Sequence, residues 1–257
     1  MTHEQWQAFS LFRSRFKEKT AEWARQGALL SRLAAEAART DTPPYTIETP
    51  VVYNCDLDAA TPQSDIRLIV IADNPGKHEQ EAANCRYLTG QAGKLAQNFF
   101  CRNPELGIDF RANTIILNKT PVHTAKTAHL KYLVKSSAPA ADIVRQSQRW
   151  MAQETARLHQ SLAACAPCGL WIIGYGELKT GGIFDIFRTA FAQSYAGSGA
   201  WRQVFVFRHF SMNSFSTELN RFAAQARQSG EEHGIQELLI RIGTAHRTAV
   251  FADIAGE

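Results

Sequence analysis

Four short apolar runs constrain this chain more than any other feature: IRLIVIAD (66–73), NTIILN (113–118), GLWIIGYG (169–176) and RQVFVFRHF (202–210). Each is rich in Ile, Val, Leu or Phe, as strands buried on both faces are. Helical patterns separate them, over 91–101, 139–164 and 177–194, and two more, 216–228 and 234–241, close the chain. Strands alternating with helices build βαβ units, hence a parallel sheet with right-handed crossovers. The expected fold class is α/β, a three-layer α/β/α arrangement around a central four-stranded parallel sheet over 67–73, 113–118, 169–175 and 202–209. Residues 1–45 form a separate stretch. Trp6, Phe9, Phe12, Phe16, Trp23, Leu30 and Leu33 recur at helical spacing, with Gly27 as a break, and Pro43 and Pro44 stop the pattern. This predicts an N-terminal helical extension packed on an α/β domain spanning 46–257.

In such a sheet ligands bind beyond the carboxyl ends of the strands. Here those ends are polar or glycine-rich: Asp73-Asn74-Pro75-Gly76, Asn118-Lys119-Thr120-Pro121, Gly174-Tyr175-Gly176 and His209-Phe210-Ser211. Pro75 and Gly76 force a tight turn that holds Asp73 and Asn74 at the rim. Either side chain there suits positioning a water, or simply forms a strand-end Asx turn. In TGQAGKL, Gly90 and Gly93 allow close backbone approach to a ligand. The segment is no phosphate-cradling P-loop, since Leu95 follows Lys94 where Ser or Thr is required. Asn118 can donate and accept at once, matching the N3–H and O4 edge of uracil. After it, Lys119, His123, Lys126, His129, Lys131 and Lys135 form a basic stretch suited to phosphates or to a solvated loop. His209 suits donation to an oxygen gaining negative charge. Ser211 suits phosphate, and Met212 and Phe215 suit insertion as apolar wedges.

Composition excludes little. Twenty-eight Lys and Arg against 24 Asp and Glu give a net charge of +4, compatible with a nucleic-acid partner. No apolar run approaches a membrane span, and residues 1–19 lack a signal-peptide pattern, so a cytoplasmic protein is expected. The five cysteines are neither a disulfide framework nor, with only Cys165 and Cys168 close, a metal-ligand set.

Taken in order, ADNPGKHE, TGQAGKL, ILNKTPVHT and RHFSMNSF resemble the loops of the uracil-DNA glycosylase superfamily across about residues 66–215. The resemblance implies excision of uracil or a related base flipped out of DNA. It gives Asp73 or Asn74 the water, with the carboxylate preferred, and gives Asn118 the base edge. Tyr87 or Leu88 covers the base, and His209 stabilises its departing anion. Gly90, Gly93, Lys119, Ser211, Met212 and Asn213 fall on the DNA side. Ala72 stands where that family's first loop begins with Gly, and Phe210 where its last has Pro. The cysteine pattern of the cluster-bearing branch is missing, so no cofactor or metal is implied. DNA is the implied partner of a monomer. A nucleic-acid or nucleobase binder that keeps the fold without catalysis is the alternative.

Overall fold

The computed structural model describes residues 1–231 and 233–254. Its elements are α1 (His3–Ala24), α2 (Gly27–Ala38), β1 (Leu68–Ala72), α3 (Gln91–Arg102), β2 (Thr114–Asn118), α4 (Leu130–Ser136), α5 (Ala138–Cys165), β3 (Gly169–Ile173), α6 (Asp185–Gln193), β4 (Val204–Phe207), α7 (Ser214–Gln228) and α8 (Ile235–Phe251). The four strands pair in parallel in the order β2-β1-β3-β4. All four apolar runs therefore end at one edge of a single sheet flanked by helices. The order also places a reversal between β1 and β3. The chain steps one way from β1 to β2 and the other way from β3 to β4. Crevices open at such switch points, beyond the carboxyl ends of the strands.

Aromatic packing fixes one face of the sheet. The Trp171 ring of β3 lies 5.4 Å from Phe100 of α3, 4.8 Å from Phe207 of β4 and 6.0 Å from Phe215 of α7. Phe215 is therefore core, not the exposed wedge its loop position suggested, and Phe210 is buried beside it at 4.6 Å between rings. The N-terminal hairpin joins the same continuous core. Phe12, Phe16 and Trp23 of α1 stand 6.0, 5.6 and 5.9 Å from Trp150 of α5.

Three element boundaries differ from expectation. Residues 177–184 form a loop ahead of α6, in which the Glu177 carboxylate accepts the Ile183 N–H at 3.2 Å. Helix α4 occupies part of the stretch read as a basic loop, and α8 continues to Phe251. Among the described residues no helix is long and apolar enough to cross a membrane.

Candidate active site

The switch point between β1 and β3 holds an ion pair. Lys119 follows β2 and runs inward, with none of its side chain exposed. Its Nζ donates to Asp73 Oδ1 at 2.6 Å and to the carbonyls of Ile173 and Gly174 at 2.8 and 3.1 Å. Three donors thus meet three acceptors, which a buried ammonium requires. The cation also lies 5.1 Å from the Phe184 ring. Burial pushes its pKa down, against the pull of Asp73. The second Asp73 oxygen accepts the Thr127 hydroxyl at 3.3 Å. Gly174 closes the third side. Its φ is +80°, and a Cβ there would fall 2.8 Å from Asp73 Oδ1, so conformation and space both demand glycine.

Asn74 points elsewhere. Its Nδ2 donates to Thr124 Oγ1 at 2.9 Å, and its amide oxygen makes no hydrogen bond among the described residues. The turn beneath it is fixed from behind by His123. Nδ1 of that ring lies 2.9 Å from the Pro75 carbonyl and Nε2 lies 2.9 Å from the Tyr45 hydroxyl. A carbonyl only accepts, so Nδ1 carries the proton and Tyr45 donates to Nε2. Burial holds His123 down to about 4, so the ring is neutral at neutral pH.

At the two ends of the strand row sit Asn118 and His209. Asn118 pairs in register with Ala72 and is 1% exposed, yet its Nδ2 has no hydrogen-bond partner among the described residues. Leaving a buried amide N–H unpaired costs about 1–3 kcal/mol. The His209 ring accepts the Ser211 backbone N–H at Nδ1, 3.1 Å away, with the Ser211 hydroxyl at 2.8 Å. A backbone N–H only donates, which puts the ring proton on Nε2. Burial lowers the His209 pKa, and the Lys119 charge adds to this against the opposing pull of Asp73. The result is a neutral N–H donor within electrostatic reach of the ion pair.

Comparison with family models, with curated proteins and with solved structures returns no match.

The segment before α3 is clamped. Leu88 has φ +52°, a strained conformation for a branched side chain. Its N–H donates to Glu79 Oε1 at 2.8 Å, while Glu79 Oε2 accepts the Gly76 N–H at 3.2 Å. Arg111 binds the Tyr87 carbonyl at 3.0 Å and the Leu88 carbonyl as well. A Cβ on Gly93 would lie 1.5 Å from the Leu88 oxygen, so glycine admits this backbone at the start of α3. Gly90 caps that helix. Glu79 thus ties the turn after β1 to the segment before α3, and burial raises its pKa to about 7. Tyr87 is buried with its hydroxyl on the Val52 carbonyl at 2.6 Å, which leaves Leu88 as the closer candidate for covering a base.

The basic stretch does not survive as a phosphate track. Lys119 is interior, so the expected phosphate contact is replaced by the Asp73 pair. His123 is buried, Lys126 and His129 both bind Asp41, and Lys131 binds Glu177. On the loop after β4, Met212 and Asn213 are both left-handed at φ +56°, and Met212 is 94% exposed. Sequence reasoning missed Glu79, Arg111, Thr124 and Thr127. Only Glu79 carried a local sign, as the acid that follows the Pro-Gly turn.

Proposed function

We propose that this protein hydrolyses the N-glycosidic bond of uracil, or of a base with the same edge, flipped out of DNA. The observation that carries the reading is the buried, unpartnered Nδ2 of Asn118 at the carboxyl edge of the sheet. A base presenting a carbonyl oxygen satisfies that donor, and the Asn118 amide oxygen accepts the neighbouring ring N–H. Cytosine reverses this pattern and is rejected. As the bond between sugar and base breaks, the electron pair moves onto the base. The neutral His209 Nε2–H stabilises the resulting anion without itself giving up a proton. The free amide oxygen of Asn74, anchored through Thr124, orients the attacking water. The water oxygen bonds to the sugar carbon, and its proton ends on the departing base.

The ion pair favours Asn74 over Asp73 for the water. Both Asp73 oxygens already accept hydrogen bonds, and the Lys119 charge offsets the carboxylate. Asp73 serves instead to hold Lys119 and Gly174 at the switch point. The burial of Asn118, Tyr87 and Leu88 means that base entry needs displacement of the segment before α3. That same burial favours the second reading, a binder without catalysis. Oligonucleotides carrying one uracil, treated with alkali after incubation, separate the two. Strand cleavage at the uracil supports the glycosylase, and retention of the oligonucleotide without cleavage supports the binder.

A further inference from the structure

A groove of about 1020 Å³ runs between α3 and α7 and is closed below by Glu231, His233, Gly234, Ile235 and Leu238. It lies at the top of the roughly 300–1,000 Å³ range of sites for compact small molecules, so it suits a longer ligand. Its floor is apolar, from Leu95, Phe99, Leu219 and Ala223. Its sides carry four amides, Asn98, Asn103, Asn213 and Asn220, and two guanidinium groups, Arg102 and Arg227. Neither arginine forms an ion pair among the described residues, whereas Lys119, Lys126, His129 and Lys131 after β2 are spent on Asp73, Asp41 and Glu177. Glu231 is the one acid lining the groove among the described residues, and it faces His233 and Arg241.

One end of the groove lies at the loop that follows β4 and carries His209. Asn213 lines it, and Asn213 is joined through the exposed Met212 to Ser211, which holds His209. Two successive left-handed residues carry the chain across that junction.

We propose that this groove binds a single-stranded segment of nucleic acid, the unpaired strand that continues from the nucleotide held at the strand edge. The inference rests on the glycosylase reading for its direction but on the groove for its chemistry. In a duplex the Watson–Crick edges are paired and the base faces are stacked. Unpaired bases have both free, and they can lie on the apolar floor while the arginines neutralise phosphates.

The test is fluorescence anisotropy with a labelled twelve-residue oligothymidine and the matching duplex, titrated against the full chain at several salt concentrations. Wild type should prefer the single strand. Arg102→Glu with Arg227→Glu should weaken single-strand binding at least tenfold and flatten its salt dependence, each lost phosphate contact removing about 0.7 from the log–log slope. Glu231→Gln should tighten binding several-fold, a gain that a misfolded variant cannot produce. Asn74→Ala should bind as wild type does, which keeps failure of catalysis distinct from failure of the groove. Preference for the duplex, or unchanged single-strand affinity in both the charge-reversed and Glu231→Gln variants, would overturn the proposal.

Discussion

Single residues at the strand edge divide between chemistry and scaffolding. Asn118→Ala removes a buried donor left unpaired at the strand edge, so it should leave the melting temperature unchanged or raise it while lowering uracil excision by about 10²-fold or more. Thermal denaturation beside single-turnover kinetics checks the pair of outcomes, and a destabilised variant would assign the amide to the scaffold. Gly174→Ala should behave oppositely. The new Cβ meets Asp73 Oδ1 and the backbone holds φ +80°, so a loss of about 2 kcal/mol in denaturant unfolding is expected, dominated by strain. Lys119→Met leaves Asp73 without its cation and should destabilise by about 3–5 kcal/mol, whereas Lys119→Met with Asp73→Leu should recover most of that loss. If the double variant is no more stable than the single one, the pair is not the local organiser.

Among elements, the tether between the turn after β1 and the segment before α3 is pH-sensitive through Glu79. Glu79 has its pKa raised by burial to about 7 from an ordinary carboxylate value. The folded state therefore binds this proton more tightly than the unfolded chain, and stability falls as pH rises through the window from about 4.5 to 7. Over that window the loss attributable to Glu79 is about 3 kcal/mol at most. His123 and His159, both held down to about 4 by burial, act in the other direction, losing stability as pH falls. The contribution of Glu79 is isolated by comparing wild type with Glu79→Gln across the window. The wild-type advantage should shrink with rising pH, and a constant difference would remove the carboxyl from the account. The tether also shows where local pattern stops being informative. The four strands and most helices were legible because apolar runs and helical spacing are local properties. Lys119 was read as a phosphate contact because its neighbours are basic. Its actual partner lies 46 positions away, just beyond a strand whose adjacency depends on the sheet order. Helix α4 was hidden for a related reason: LKYLVKS is too short to show its period before Pro139 begins the next helix.

At the scale of the whole molecule, the strand order β2-β1-β3-β4 gathers Asn118, Asp73, Asn74, Gly174 and His209 at one edge. The N-terminal hairpin, with Phe12, Phe16 and Trp23 around Trp150, braces the helix α5 beneath that sheet. The convergence was legible in outline from four polar strand ends. The division of labour at the edge was not, because it depends on which way Asp73 and Asn74 point, and adjacent side chains leaving a strand diverge. That division is the central claim, and single-turnover excision of uracil from a single-stranded oligonucleotide tests it most directly. Wild type should release the base, Asn74→Ala should slow release by about 10²–10⁴-fold with folding intact, and Asp73→Asn should slow it by about tenfold. A larger loss in Asp73→Asn than in Asn74→Ala would return the water to the carboxylate, and a wild type that binds the oligonucleotide but never releases the base would contradict the enzyme altogether.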